Sequence, residues 1–259
     1  MTVYIPVHTI EEFQKYKYTE NIKILFQPPP GHSWREYYGD KWLPLDFNDP
    51  CINTWDTIFI TNFRGFFMDL KYFDQPLDNL KTDYATDISF MFANTKFNHP
   101  LNHLVTTNVR NASNTFANSI YNHPLNMWIA NNFRNTSYMF YNAKFNQDIS
   151  MWSLDNLLNA SYMFQFSDFN QCLDAWCLPN IRNITYIFHC SSFYNGYNID
   201  SIVYNKVISM WYYKSTVPKM LSEWNTKYLT RYKGAFGNTG ITRHNIDWNV
   251  DDYNDLFSL

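Results

Sequence analysis

The sequence predicts a repeat solenoid, a parallel β-solenoid of about 24-residue coils with a mixed α/β N-terminal cap and an α-helical C-terminal cap. Three observations support this prediction: two aromatic columns with a constant step, further apolar columns in register with them, and polar columns with the same step. The first aromatic column, which Met68 extends backwards, is Phe92, Phe116, Phe140, Phe164 and Phe188. The second is Phe73, Phe97, Tyr121, Phe145, Phe169 and Phe193.

Two further apolar columns keep the same 24-residue step. The third column is Leu77, Leu101, Leu125, Ile149 and Leu173, and the fourth is Leu80, Leu104, Trp128, Trp152 and Trp176. A step of this length lies within the leucine-rich-repeat range, and one such unit is too small to close a core alone. Stacked units bury their repeated positions against neighbours roughly 4.7–4.9 Å away, so we expect these columns to form the core of a leucine-rich-repeat-like solenoid.

Asparagine repeats as strictly as the aromatic residues do. One column is Asp87, Asn111, Asn135, Asn159 and Asn183; the next is Asn108, Asn132, Asn156 and Asn180; a third is Asp74, Asn98, Asn122, Asn146 and Asn170. An asparagine side chain bonds to nearby main-chain groups and tolerates left-handed backbone, so these columns predict turns at each bend. Stacked amides can also hydrogen-bond to one another from coil to coil.

Four of these asparagines match the pattern for N-glycosylation, because Ser or Thr follows two positions later: Asn111, Asn135, Asn159 and Asn183. Glycans on one column would be crowded at about one coil spacing. An asparagine column two positions before a hydroxyl column gives the same match without any modification. We therefore favour the structural interpretation.

The best-formed repeats share a recognisable sequence motif. Residues 135–152 read NTSYMFYNAKFNQDISMW, and residues 159–171 read NASYMFQFSDFNQ. Residues 85–193 resemble the BspA-like branch of leucine-rich repeats, whose pattern is N-x-S-x-M-F-x-x-A-x-x-F-N-Q-D-I-x-x-W, with degenerate copies back to about Asp46. That family is known from bacterial surface lipoproteins, protists and large DNA viruses. The resemblance implies an adhesion or protein-binding surface and implies no catalytic residues.

The composition fits a folded protein without a membrane span. Hydrophobic residues make up 46% of the 259 residues, and no apolar run approaches the roughly 18 residues that a transmembrane helix needs. The net charge of −3 gives no overall attraction to nucleic acid. The first residues, MTVYIPVHT, lack a secretory signal pattern, so we expect an intracellular location, in a host cytoplasm, or a place in a virion.

The predicted organisation has three parts: an N-terminal cap over 1–45, the solenoid over 46–195, and a helical C-terminal cap with an acidic tail over 196–259. The first part combines a helix with a capping-box start at Thr9 and a strand over 22–26. A partial repeat near Phe47 and Trp55 is out of step by two residues. The last part predicts two helices, over 199–213 and from Pro218 to Gly234.

Motifs for chemistry are scarce. His99 and His123 lie one repeat apart, but the same column holds Gln75, Gln147 and Gln171, so we predict a polar planar position and no metal. No phosphate loop, HExxH motif or nucleophile elbow is present, so we predict no catalytic residues, cofactor or small-molecule substrate.

Cysteines and glycines suggest structural roles. The four cysteines, Cys51, Cys172, Cys177 and Cys190, form no metal-ligand pattern, and we expect buried free thiols, although Cys172 and Cys177 flank Trp176 and could be close. Gly234 and Gly237 have the spacing of a GxxG clamp of RNA-binding modules, but without that module we interpret them as a hinge after the helix, and we expect no nucleic-acid partner.

One column predicts a partner-binding surface. Arg110, Arg134 and Arg182 occupy equivalent positions, with Leu158 between the last two. Like charges stacked on neighbouring strands are destabilising, so such a column suggests either side chains spread into water or an acidic or planar partner. The neighbouring tyrosines, Tyr138, Tyr162 and Tyr186, extend this candidate surface.

The sequence therefore favours a non-enzymatic protein–protein interaction scaffold. Its expected partners are proteins, with an acidic surface or as further subunits of a large assembly. The alternative is a structural component of a large DNA virus particle, such as a minor capsid protein. The occurrence of the resembled family in large DNA viruses suggests this role, as do the missing secretion signal and the abundance of Asn, Tyr, Phe, Ile and Lys, which an AT-rich genome would encode.

Overall fold

A computed structural model describes residues 57–193 apart from 59 and 72 and, in the C-terminal part, 221, 224, 226–239, 241, 248, 250–252 and 254–258. The predicted N-terminal cap, the partial repeat near Phe47 and the predicted helix over 199–213 lie outside these residues. Within them there is one helix, a short 3₁₀ helix at Asp255–Phe257. No helix of the described part is long and apolar enough to cross a membrane.

Successive segments of the chain pair in parallel through single bridging residues, which we call rung residues. Among the described residues the bridges join Asn62 to Asp87, Asp87 to Asn111, Asn111 to Asn135, Asn135 to Asn159, Asn159 to Asn183, and Asn183 to Arg231. These are the members of the first predicted asparagine column, with Asn62 and Arg231 added at its ends. We call the segment from one rung residue to the next a coil.

Backbone hydrogen bonds continue from each rung along the first part of the coil. In one pair of coils, the amides of Ile88, Phe90 and Phe92 donate to carbonyls of the following coil at 2.9, 2.9 and 2.8 Å. The same pattern recurs between later coils, for example from Phe140 to Met163 at 2.9 Å. Every second amide therefore bonds to the next coil, which holds neighbouring coils in register.

The two predicted aromatic columns are buried, and their rings stack from coil to coil. In the first column the ring centroids from Phe92 to Phe188 are 5.4 to 5.7 Å apart, with interplanar angles of 4 to 10°. In the second column the spacing from Phe97 to Phe193 is 6.1 to 6.4 Å. The prediction that these columns form the core is confirmed, because their rings are fully buried. Stacked aromatic pairs add to the free energy gained by burial alone.

The first column ends differently from the prediction. Phe67, and not Met68, stacks on Phe92, at 5.2 Å and 15°. Met68 is half-buried instead. The reason is that the rung pair Asn62–Asp87 spans one residue more than the next four pairs do, which shifts the column by one position.

A second set of stacked rings runs along the fourth column. Trp128, Trp152 and Trp176 each donate their indole N–H to a carbonyl 27 residues earlier, at 2.9 to 3.0 Å. Phe116 touches Trp128, and Phe164 touches Trp176, at 6.0 and 6.5 Å between ring centroids. Rings from the phenylalanine column and from the tryptophan column of one coil thus share one core. The buried indole N–H groups all have hydrogen-bond acceptors.

The predicted helix from Pro218 to Gly234 is wrong for its described residues, because 226–234 contain no helix. Arg231 is the next rung residue after Asn183, Trp224 stacks on Trp176 at 6.0 Å, and Phe236 stacks on Phe188 at 5.8 Å. Each of these pairs is separated by 48 residues, twice the repeat step. The stacked coils therefore do not end at residue 195, the predicted solenoid boundary.

The mistaken helix has a physical explanation. Leu221, Trp224 and Tyr228 are spaced by three and four residues, which is helical spacing. The coil places a leucine, a tryptophan and an exposed turn position at the same intervals, as in Leu173, Trp176 and Asn180. A segment of eight residues therefore fits a helix and a coil equally well, whereas the step of 48 residues to the earlier coil fits only the coil.

The C-terminal segment covers the last described coil. The amides of Gly234 and Phe236 donate to the carbonyls of Asp255 and Leu256, at 2.6 and 2.8 Å. Gly234 has a φ of 59°, and a Cβ atom there would clash with the Tyr186 ring. The interpretation of Gly234 and Gly237 as a hinge is therefore wrong: both are positions of close packing, against Tyr186, His189 and the Ser258 carbonyl.

Candidate protein-binding surface

The rung asparagines build the turn that presents the candidate surface. The Oδ1 atom of Asn135 accepts a hydrogen bond from the amide of Ser137 at 3.0 Å, and Asn111, Asn159 and Asn183 make the same bond at 3.0 to 3.2 Å. The predicted capping of the backbone by asparagine is confirmed in this column. These side chains are half-buried and occupied by the turn.

The other predicted asparagine columns form hydrogen bonds between neighbouring coils. Asn132 and Asn156 donate to carbonyls 25 residues earlier, at 2.7 and 2.8 Å. Asn122 accepts from the amide of Asn146, at 2.9 Å. A ladder that the sequence analysis missed links Asn94, Asn118 and Asn142 through their side-chain amides, at 2.9 and 3.0 Å. All three residues have left-handed backbone, which asparagine adopts more easily than most residues.

The three predicted tyrosines stack into a ladder on the surface. Tyr138 and Tyr162 lie 4.5 Å apart with an interplanar angle of 7°, and Tyr162 and Tyr186 lie 5.4 Å apart at 34°. All three are half-buried. Burial, together with the neighbouring Tyr162, raises the pKa of Tyr138 above its ordinary value. Tyr138 is therefore neutral at physiological pH.

The tyrosine ladder occupies strained backbone. Tyr138, Tyr162 and Tyr186 have φ values of 58, 60 and 54°, a region that costs a residue other than glycine about 1–2 kcal/mol. Gly65 and Gly234 hold the equivalent position in the first and last described coils. Ring stacking, at about 0.5–1.5 kcal/mol a pair, offsets part of this cost. Phe90 and Asn114 also have left-handed backbone at this position, so the described coils repeat this turn.

The ladder belongs to a wider aromatic surface. Tyr141 contacts Tyr138 at 5.5 Å and Phe166 at 5.8 Å, and His189 contacts Phe166 at 6.1 Å and Tyr186 at 4.9 Å. Phe166 is 45% exposed. Partial burial lowers the pKa of His189, which favours its neutral ring. The sequence analysis missed these residues, although Tyr141, Gln165 and His189 share one column.

The predicted arginines lie in register and are exposed. The amide of Arg134 donates to the Arg110 carbonyl at 2.8 Å, and the amide of Arg182 donates to the carbonyl of Leu158 at 3.0 Å. Leu158 is half-buried and separates the last two arginines. Among the described residues, the guanidinium groups of Arg110, Arg134 and Arg182 have no hydrogen bond and no ion pair. The structure thus brings these arginines to one column, four residues before the tyrosine ladder.

Arg64 shows what a guanidinium can do at this surface. Its Nη1 donates to the Ser89 hydroxyl at 2.9 Å, and its Cζ lies 4.7 Å from the centroid of the Phe90 ring. Phe90 occupies the tyrosine position in its coil, with a φ of 60°. The sequence analysis did not single out Arg64. Its position 25 residues before Ser89, about one coil away, indicates that the two residues are neighbours.

Two of the predicted histidines and two of the cysteines, namely His99, His123, Cys172 and Cys177, lie in other columns than this surface. The Nε2 atoms of His99 and His123 lie 2.9 and 2.8 Å from backbone carbonyls of the preceding coil. No group of three or more metal-ligating side chains is found in the described part of the chain. Cys172 and Cys177 are free but exposed, so the expectation of buried thiols is wrong for both. Cys172 precedes the buried Leu173 and Cys177 follows the buried Trp176, so both thiols lie on the outer side of the coil.

A second exposed feature was also missed. Met127, Ile129 and Met151 are 68, 50 and 81% exposed, and Val105 lies beside them at 38%. Met127 and Ile129 flank the buried Trp128, Met151 precedes the buried Trp152, and Val105 follows the buried Leu104 of the same column. Their alternation with the tryptophans was visible in the sequence.

Comparison with protein families gives one result. A family model described as "Mycoplasma protein of unknown function, DUF285" matches residues 37–144 and 118–201, which together span more than half of the chain. This match is compatible with a BspA-like repeat family. No curated protein and no solved structure matches the chain. The chain belongs to the family of Mycoplasma proteins of unknown function, DUF285.

Proposed function

We propose that the chain is a non-enzymatic protein–protein interaction scaffold, a leucine-rich-repeat-like β-solenoid of BspA-like repeats. Its partner docks on the surface formed by the arginine column (Arg110, Arg134 and Arg182) and the tyrosine ladder (Tyr138, Tyr162 and Tyr186). The observation that carries the proposal is the exposed column of guanidinium groups, which form no ion pair within the described part of the chain, beside stacked tyrosines in strained backbone.

The solenoid part of this proposal rests on the coil-to-coil contacts. Parallel bridges at a nearly constant step, amides that bond to the following coil and continuous ring columns are what stacked repeats require. Such a scaffold holds surface residues at a fixed spacing. Little conformational entropy is then lost by the scaffold when a partner binds.

The chemistry of the surface favours an acidic partner. Arginine and tyrosine are, with tryptophan, the residue types enriched among interface residues that dominate binding. A guanidinium fork binds a carboxylate through two parallel hydrogen bonds. Repulsion between Arg110 and Arg134 in neighbouring coils would be relieved by a carboxylate placed between them.

The test is replacement of Arg110 and Arg134 by alanine, with affinity-captured proteins quantified by mass spectrometry. We expect the double variant to lose the partner by tenfold or more, because each arginine of a binding centre is worth more than about 1 kcal/mol. Lys81→Ala/Lys227→Ala removes the same charge from exposed positions away from the arginine column and the tyrosine ladder and is the matched control. Unchanged capture of every partner by R110A/R134A would contradict the proposal.

A further inference from the structure

Between residues 61 and 241, the charges of the described residues are divided unequally between the two halves of the coils. We define the first half as the residue before the rung to the second aromatic column, as in 110–121, and the second half as the rest, as in 122–133. The first halves hold the cations Arg64, Lys71, Lys96, Arg110, Arg134, Lys144, Arg182, Arg231 and Lys233 against the carboxylates Asp69, Asp87 and Asp168. The second halves hold Asp74, Asp78, Asp83, Asp148, Asp155 and Asp174 against Lys81 and Lys227.

The two halves face away from each other. Phe116 from the first half and Trp128 from the second half touch inside the coil, at 6.0 Å between ring centroids. Phe164 and Trp176 repeat that contact at 6.5 Å. Because the halves enclose one core between them, their exposed side chains form two separate surfaces, one basic and one acidic. Cations occur in every described first half except 158–169, whereas the carboxylates of the second halves lie in 74–85, 146–157 and 170–181, and none lies in 98–109 or 122–133.

Exposed apolar side chains are also divided unequally. Six of the large hydrophobic residues that the structure shows exposed lie in second halves: Tyr84, Val105, Met127, Ile129, Met151 and Tyr228. Methionine and aromatic residues are enriched in protein interfaces, and methionine adapts its shape to a partner. The basic surface offers apolar area of its own in the half-buried tyrosine ladder.

We propose that the occupant of the basic surface is a second copy of this chain, which docks through its acidic, methionine-bearing surface. This inference rests on the proposed function, whose arginine column it uses, and it names the partner. Asp148 and Asp155 are exposed and lie on either side of Met151 in one coil. They present carboxylates to Arg110 and Arg134 of the next copy, while Met127 and Met151 contact its tyrosines. Electrostatic complementarity of this kind fixes orientation and suppresses wrong pairings.

The arrangement has a consequence for assembly. Two different surfaces of the same chain are joined, so each docked copy leaves one basic and one acidic surface free. Head-to-tail contacts of this type continue into open chains or close into rings, and they do not stop at a two-fold dimer. Such growth would also suit the alternative role as a structural component of a large particle.

The experiment uses the full chain in sedimentation velocity at several concentrations, at low salt and at about 1 M salt, where charges are screened within about 3 Å. We expect species larger than a dimer at low salt and monomer at high salt. Arg134→Glu should raise the concentration at which assembly is half complete at least tenfold. Lys81→Glu changes the net charge by the same amount on the acidic surface and should leave assembly unchanged or stronger. Monomeric wild type at low salt would overturn the proposal.

A complementation experiment separates this contact from other modes of association. R110E/R134E destroys the basic surface, and D148K/D155K destroys the acidic one, so each variant alone should be monomeric. An equimolar mixture should assemble, with each first variant supplying an intact acidic surface and each second variant an intact basic one. In that mixture the two charge-reversed surfaces can also attract each other. The mixture of R110A/R134A with D148A/D155A removes this second contact, so it should stop at a one-to-one dimer and is the decisive test. A mixture that stays monomeric refutes the docking.

Retained folding of each variant is checked by circular dichroism and thermal melting. If R110A/R134A loses a captured partner while wild type stays monomeric, the proposed function stands and the self-docking is wrong. If wild type assembles and the alanine mixture forms the dimer, but no other protein is captured, the scaffold assembles with itself alone. Assembly that R110A/R134A abolishes and D148A/D155A leaves intact would contradict the acidic surface as the contact.

Discussion

Replacement of Phe140 by alanine tests whether the aromatic columns stabilise the array. Phe140 is fully buried and lies 5.7 Å from Phe116, 5.6 Å from Phe164 and 4.0 Å from Phe145, measured between ring centroids. The substitution removes three ring contacts at once. It leaves a cavity in the middle of the column, where both neighbouring coils contribute to the lining.

The expected loss is about 3–5 kcal/mol in the free energy of unfolding. The upper part of that range applies because the cavity cannot collapse easily. The amide of Phe140 is bonded to the Met163 carbonyl at 2.9 Å, and the amide of Phe116 is bonded to the Met139 carbonyl at 2.9 Å. These bonds hold the backbone on both sides at the coil spacing, so the rings above and below cannot move into the space.

Urea denaturation, followed by circular dichroism and by tryptophan fluorescence, measures the loss. Met151→Ala is the control, because Met151 is 81% exposed and its loss should change stability by less than about 0.5 kcal/mol. Coincident transitions from the two probes are required before one free energy is assigned, since repeat arrays can unfold in parts. A loss below about 1 kcal/mol for Phe140→Ala would refute the reasoning.

Two further substitutions probe polar groups in the core. Tyr121→Phe should stabilise the protein by about 1 kcal/mol at pH 7, measured by urea denaturation, because the Tyr121 hydroxyl is buried without a hydrogen-bond partner among the described residues. Burial also raises the pKa of the Tyr121 hydroxyl above its ordinary value, so the unfolded chain loses the hydroxyl proton at a lower pH than the folded chain does. The free energy of unfolding of the wild type should therefore fall as the pH rises above about 10, and the fall should be smaller in Tyr121→Phe. Trp152→Phe should cost about 1–3 kcal/mol in the same assay, because it removes the indole bond to the Leu125 carbonyl and part of a buried ring; an unchanged midpoint would contradict that role.

The predicted core followed from the repeat step. Residues 24 positions apart in successive coils were expected to touch, and Phe116 and Phe140 do. The asparagine turns were predictable for the same reason, since a side chain that bonds its own backbone acts locally. The arginine column and the tyrosine positions were placed in register by the step as well. Their role in binding a partner stays a prediction.

The errors arose where a short pattern fits two structures. Leu221, Trp224 and Tyr228 have helical spacing, yet the stacking of Trp224 on Trp176 continues the array. Cys172 and Cys177 looked like core residues until Trp176 between them fixed which positions point inward. The aromatic surface around Tyr141 and His189 was missed because its members differ in residue type from coil to coil.

The sequence by itself determined the length of the coil, the residues that stack and the turns at the rungs, because each depends on contacts between positions one repeat apart. Only the tertiary structure decided that most cations and most carboxylates of the coils lie on different sides, and where the array continues beyond Phe193. Those features depend on how a coil closes around its rings, as in the contact between Phe116 and Trp128. A linear pattern records the step between coils but not the direction in which each half of a coil faces.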